Sequence, residues 1–256
     1  MSFKSFASLG LSSLLLVAAC SSSSDDKPAA AEGTPNKQGA SSATTSTITA
    51  VQTAIKPSTG GAAGDAGQSS ANQLASAAQA TQGLVTPSAG TAGKAFAGLA
   101  FADLLKPLGP AAGQTGTCTC TADSCTFAAC SNGSVTIDGT YSFGAGKIKA
   151  TGLKYTIKVA TGVTADVVIT VDADITATAT SINGSFHSAG TTSAMAGGQS
   201  YSSNWDSTLE FKNVTFPSGG GAASGGSEHV ASTTTVTAGG ATQAYQANFD
   251  VTFPAN

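Results

Sequence analysis

Between positions 163 and 179 the chain alternates without a break. Val163, Ala165, Val167, Ile169, Val171, Ala173, Ile175, Ala177 and Ala179 hold the odd positions. Thr164, Asp166, Val168, Thr170, Asp172, Asp174, Thr176 and Thr178 hold the even ones. Successive side chains of a strand point to opposite faces, so this spacing predicts one long β-strand with a buried side and a wet side. At about 3.3 Å per residue it would extend roughly 55 Å, longer than an ordinary strand. No Gly, Pro or Asn lies inside it, so it is expected to bend rather than turn. Such a strand needs neighbours along both edges, which commits much of the chain to a sheet.

Those neighbours are legible. Val135, Ile137, Tyr141 and Phe143 alternate up to the turn Gly144-Ala145-Gly146, and Ile148 and Ala150 follow with Lys147 and Lys149 outward. Leu153, Tyr155, Ile157 and Val159 take the other parity, which predicts a bulge at Thr151-Gly152. Ile182, Gly184 and Phe186 open a shifted register or continue the long strand, and 188–199 is expected to be a loop. Tyr201, Ser203, Trp205, Ser207, Leu209 and Phe211 alternate again, with Val214 and Phe216 off parity, and 217–226 is a glycine loop. Segments 229–237 and 243–253 make a last hairpin around Ala238-Gly239-Gly240-Ala241. The expected fold is mainly β: an antiparallel meander of six or seven strands, a bent sheet or partly open barrel, with one or two N-terminal helices packed on it.

Upstream the character changes. Ala, Gly, Ser and Thr supply 146 of the 256 residues, and from 21 to 67 they leave almost no bulk to bury, so a disordered tether is expected. Ile48, Val51 and Ile55 have helical spacing, but their Thr-rich surroundings and Pro57 argue against a helix. A flexible coil of about 47 residues would reach roughly 35 to 40 Å. Segment 68–82 is Ala- and Gln-rich and helical in character. Phe96, Leu99, Ala100, Asp103 and Leu104 recur at three and four before Pro107, which predicts a helix over 92–106. Segment 109–117 is then a loop. The organisation expected is 1–19 an export signal, 20–67 the tether, 68–117 a helical segment and 118–256 the β domain.

The first twenty residues carry Lys4, the apolar run Leu14-Leu15-Leu16-Val17 and the small pair Ala18-Ala19 before Cys20. That run is too short to span a bilayer and suits a cleaved signal peptide. Val17-Ala18-Ala19-Cys20 resembles the lipobox of bacterial lipoproteins. The resemblance implies a diacylglyceryl group on the Cys20 thiol, cleavage before it, and often acylation, such as by palmitate, of the freed amine. Ser21 rather than Asp after the lipidated Cys implies the outer membrane. Two or three chains would anchor stably, at about 0.8 kcal/mol per buried methylene. The phrases Val135-Thr136-Ile137-Asp138-Gly139-Thr140 and Ser181-Ile182-Asn183-Gly184-Ser185-Phe186 are similar to ones in Ser/Thr/Gly-rich β domains of uncharacterised bacterial lipoproteins, a likeness that implies no activity.

Cys118, Cys120, Cys125 and Cys130 lie within thirteen residues. In an exported chain they predict two disulfides stapling a loop ahead of the first strand, with Cys118 and Cys120 each paired to Cys125 or Cys130. Their spacing is not that of a common zinc site. Asp166, Asp172 and Asp174 share one strand face, where a solvated row is expected ahead of calcium. Glu228, His229 and His187 are isolated, and no nucleophile elbow, zinc helix or phosphate loop accompanies them. Asn132-Gly133, Asn183-Gly184 and Asn213-Val214 are expected to form turns. One Trp and four Tyr make poor girdles for a transmembrane barrel. A net charge of −3 with no Arg and eleven scattered Lys excludes nucleic acid as a partner.

The function expected is a non-enzymatic envelope or cell-surface lipoprotein without cofactor or metal. Its membrane partner is met through the lipid, and its β domain contacts an envelope protein, a polysaccharide or a lipid. The alternative is a carrier of a lipid or other hydrophobic ligand in a cavity between sheet and helix, and a hydrolase ranks third.

Overall fold

The computed structural model describes residues 30–55, 63–86, 115–131, 133–159, 164–196, 199–218 and 220–255. The expected signal segment over 1–19, Cys20 and the helix expected over 92–106 lie outside these residues. In chain order the elements are β1 (Ala31–Glu32), β2 (Thr34–Pro35), α1 (Lys37–Ile55), α2 (Ala63–Thr81), β3 (Val85–Thr86), β4 (Thr115–Cys120), β5 (Ser124–Ser131), β6 (Val135–Gly144), β7 (Lys147–Val159), β8 (Thr164–Ala177), β9 (Ser181–Ala196), β10 (Gln199–Thr215), β11 (Gly225–Ala238) and β12 (Ala241–Thr252). The chain is mainly β. Strands β4 to β12 form an antiparallel meander, and β1 adds a short parallel pairing to β12, giving an open ten-stranded sheet of order β1-β12-β11-β10-β9-β8-β7-β6-β5-β4. The expected six or seven strands are therefore too few. Among the described residues no helix is long and apolar enough to cross a membrane.

The long alternating segment is β8, and its buried face is the odd-numbered one, from Ala165 to Ala177. The register shift at Ala150/Leu153 places a bulge at Thr151-Gly152, as the parity change requires. The expected loop over 188–199 is instead the second half of β9. Its inward residues are Ser188, Gly190, Thr192 and Ala194, which carry no apolar alternation because they face hydroxyl-bearing and aromatic partners. Gly190 lies opposite Trp205, and a Cβ there would overlap the indole ring.

Asn183-Gly184 and Asn213 are not turns between strands; they build bulges within them. Asn183 Oδ1 accepts the N–H of Asn213 at 2.7 Å, where Asn213 has φ 49°. Asp138 Oδ1 accepts the N–H of Ala129 at 2.7 Å, where Ala129 has φ 48°. In both places the following Gly has positive φ, 124° at Gly184 and 113° at Gly139, and the backbone of an adjacent strand, β8 at Gly184 and β7 at Gly139, occupies the space a Cβ would need. The repeated Ile-Asx-Gly phrase thus encodes one device twice. The Asx side chain satisfies a bulged amide on one neighbouring strand while the Gly admits the other.

The sheet curls around an α1–α2 hairpin. α1 touches β6 and β12, whereas α2 touches β4, β5, β8 and β9. Segment 37–55 is thus a helix rather than tether, against the expectation. Its Ala40, Ala43, Ile48, Ala50 and Val51 are fully buried, so tertiary packing offsets its poor intrinsic propensity. Thr44, Thr45, Thr47, Thr49 and Thr53 each donate to the carbonyl four residues back. Those bonds let hydroxyls sit in a helix that has little access to water. Asn36 caps the first turn through Gly39 N–H and donates to Gly83 O, both at 2.9 Å, tying the start of α1 to the end of α2. The expected helix over 68–82 is α2.

Candidate functional site

The two faces of the sheet differ in chemistry. The inner trough is apolar along β5 to β8, where Phe127, Ile137, Tyr141, Ile148, Leu153, Tyr155, Ile157 and Ile169 are buried. Along β9 to β11 it is lined by hydroxyls. Ser188, Thr192, Ser203, Ser207, Ser232 and Thr234 are all buried there. The helix pair is bonded to both halves. Tyr155 Oη donates to Ala71 O at 2.6 Å, and the Tyr141 hydroxyl bonds Ser70, which itself donates to Ala50 O at 2.6 Å. Burial pushes both phenol hydroxyls well above their ordinary titration range. On the other side Thr81 bonds Ser188, and Gln82 Nε2 donates to Thr192 and Ser203 at 3.1 and 3.2 Å.

Among the described residues Glu228 is the one acidic residue that joins the buried polar side chains of the trough, with 0% exposure. It sits inward on β11, opposite Phe211 of β10 and Val251 of β12. Its Oε2 meets the Thr44 hydroxyl of α1, and its Oε1 has no partner. Desolvation pushes the carboxyl up to about 7, against a smaller lowering by the Thr44 hydrogen bond. His229, the next residue, points the opposite way and meets Asp250 Oδ1 at 2.8 Å. The neighbouring acid and base are therefore on opposite faces of the sheet.

The outer face is a polar lattice set by register. Ser124 lies beside Ser142, Ser142 beside Lys149, Lys149 beside Asp174, Asp174 beside Ser185, Ser185 beside Glu210, Glu210 beside His229 and His229 beside Asp250. One row therefore runs from β5 to β12. A shallow groove of about 470 Å³ follows it, with Asp174, Ser185, Glu210 and Lys212 along its sides. A second row carries Thr136, Thr156, Val168, Thr191, Asn204 and Thr235.

Asp166, Asp172 and Asp174 all lie on this face, and each has a job in the sheet. Asp166 pairs across from Lys158 and Asp174 from Lys149. Asp172 Oδ1 accepts the N–H of Gly152 in the β7 bulge at 2.8 Å, while its Oδ2 lies 3.7 Å from His187 Nδ1. His187 Nε2 meets Asp206 Oδ1 at 3.1 Å, so both of its ring nitrogens face carboxylates. A hydrolytic arrangement would need a hydroxyl nucleophile at one of them. Among the described residues no three His, Cys, Asp or Glu side chains are grouped closely enough to hold a metal ion. Sequence reasoning missed Asp206 and Asp250 as partners of the two histidines. Their only signal was parity, since each stands at an outward position of its strand.

The four cysteines form Cys118–Cys130 and Cys120–Cys125. They staple the β4–β5 hairpin at one edge of the sheet rather than a loop ahead of the first strand. Cys125 and Cys130 are buried, and a Cβ at Gly67 of α2 would fall 2.7 Å from Cys125 Sγ. Small residues in that helix thus seat it on the disulfide. The chain matches no protein-family model, no curated protein and no solved structure.

Proposed function

We propose that this chain is a lipid-anchored protein of the cell envelope or cell surface, held through Cys20, whose non-catalytic β domain binds a partner on its outer face. Its membrane is the outer one on the reading of Ser21, and its partner is an envelope protein or a polysaccharide. The observation that carries the reading is the continuous polar row from Ser142 to Asp250 on the outer face. A rigid lattice of hydroxyls, carboxylates and Lys at strand spacing offers hydrogen bonds to a repeating polymer or a polar protein surface at little ordering cost. The trough, which a hydrophobic-ligand carrier would need empty, is filled by α1 and α2.

A photo-crosslinking side chain placed at Ser185, in the centre of the row, should capture an envelope component in intact cells. The same group at Gln38, exposed at the start of α1, should not. Equal capture at both positions, or none at Ser185, would overturn the outer-face assignment. A lipid co-purifying at one-to-one stoichiometry in native mass spectrometry would favour the carrier instead.

A further inference from the structure

The Thr44 hydroxyl has two acceptors within reach, Ala40 O at 3.1 Å and the Glu228 carboxyl. It owns one proton. If Thr44 donates to Ala40, as its helical neighbours do to their own carbonyls, the contact with Glu228 needs a proton from the carboxyl itself. Both bonds are satisfied together when Glu228 is neutral and donates to Thr44 Oγ1. The unpartnered Oε1 is consistent with that state, because an uncharged carbonyl oxygen loses less by burial than half of a carboxylate does.

We propose that Glu228 is a pH-sensitive latch between α1 and the sheet: protonated, it holds the helix in the trough, and ionised, it lets the helix loosen. Among the described residues nothing buried compensates the charge. On α1 the only charged side chain is Lys37, which is exposed at the first turn. On β10 the charged groups are Asp206, Glu210 and Lys212, on β12 Asp250, and on β11 itself His229; all lie on the outer face, as do the rest of their row. The inward neighbours are Phe211, Val230 and Val251. An ionised Glu228 therefore regains solvation when α1 moves away or water enters beneath it.

The sign follows from the direction of the shift. A carboxyl raised on folding favours the folded, protonated form, so its contribution is fully present below the ordinary value of 4.5. That contribution is lost as pH rises through about 7. The gap corresponds to an increase in the opening equilibrium of α1 of up to about 300-fold at pH well above 7.

The test is hydrogen exchange of the full chain from pH 5 to 9, with α1 amides read as protection factors so that intrinsic exchange chemistry cancels. Protection of α1 should fall by up to about two orders of magnitude in the wild type and stay level in Glu228→Gln, whose amide can still donate to Thr44. His229→Gln, which removes the neighbouring imidazole on the outer face, should keep the wild-type fall. An unchanged slope in Glu228→Gln, or a slope abolished by His229→Gln, overturns the latch. Should Glu228→Gln not fold, a carboxyl carbon-13 titration of wild-type protein decides the matter. A Glu228 midpoint near 7 supports the latch, and one below 5 overturns it.

Discussion

Reducing the two disulfides tests how the edge of the sheet is held. Cys118–Cys130 closes a separation of 12 residues and Cys120–Cys125 one of 5. In the chain-entropy account these separations are worth about 2.8 and 2.1 kcal/mol at room temperature. The rings are nested, so the inner bridge shortens the outer path to about eight residues and lowers its share to about 2.5 kcal/mol. Together they contribute about 4.5 kcal/mol, a large part of the 5 to 15 kcal/mol typical of a domain. The loss falls on one edge, because among the described strands β4 pairs with β5 alone. Reduction should therefore remove amide protection from β4, β5 and the start of α2, where Gly67 rests on Cys125, and leave β6 to β12 protected. Hydrogen-exchange mass spectrometry of oxidised and reduced protein would show this, and urea unfolding followed at Trp205 on β10 would report the sheet separately. Thiol counting of denatured, unreduced protein should find none of the four free. Unchanged protection in β4 and β5, or loss throughout β8 to β12 at the same time, would refute the edge-staple reasoning.

Three further outcomes are expected. Gly190→Ala should push the Trp205 ring from its seat, costing about 1 to 3 kcal/mol, and because the chain has a single Trp, a red shift of its emission reads the displacement directly. Asn183→Ala and Asp138→Ala should each leave a bulged amide to water instead of its acceptor and lower stability by about 0.5 to 1.5 kcal/mol, seen as lower urea midpoints at unchanged slope. Cys20→Ser should accumulate as an unprocessed precursor that no longer partitions into detergent, and normal cleavage with release of the variant would mean an ordinary secretory signal.

The parts of the fold legible in the sequence were those in which burial and apolarity coincide. β6, β7, β8 and β10 show the period of two because Val, Ile, Leu and aromatics predominate among their inward residues, and the Thr151-Gly152 bulge was legible because parity is discrete. The second half of β9 was not, because its inward residues are Ser188, Gly190, Thr192 and Ala194, whose partners are hydroxyls and an indole ring. α1 was hidden for the same reason. Its Thr and Ala residues are poor evidence of a core until a curled sheet surrounds them, and the five back-bonding threonines that make the helix tolerable in the interior look like a linker in one dimension. The cysteine pairs were read correctly as a choice between two partners, but the hairpin they join has almost no apolar bulk beyond Phe127. Glu228 stood in view as an acid beside a His, and only the side of the strand on which it falls distinguishes an exposed pair from a buried carboxyl.

If Cys20 carries the proposed lipid, the pairing of Ala31–Glu32 with Tyr245–Gln246 limits how far the folded body could stray from it. On the proposed attachment, the leash from Cys20 to Ala31 is eleven residues of chain, and no path of that length exceeds about 40 Å at 3.3 to 3.6 Å per residue. A random path would average about 20 Å, half the reach of a tether running to residue 67. The leash leaves from the β12 margin of the sheet, so that margin is the one drawn toward the lipid. On that proposed attachment any partner of the outer face would have to come to a thin layer just above the headgroups, and the domain would work as a fixture of the membrane surface rather than as a probe extended from it.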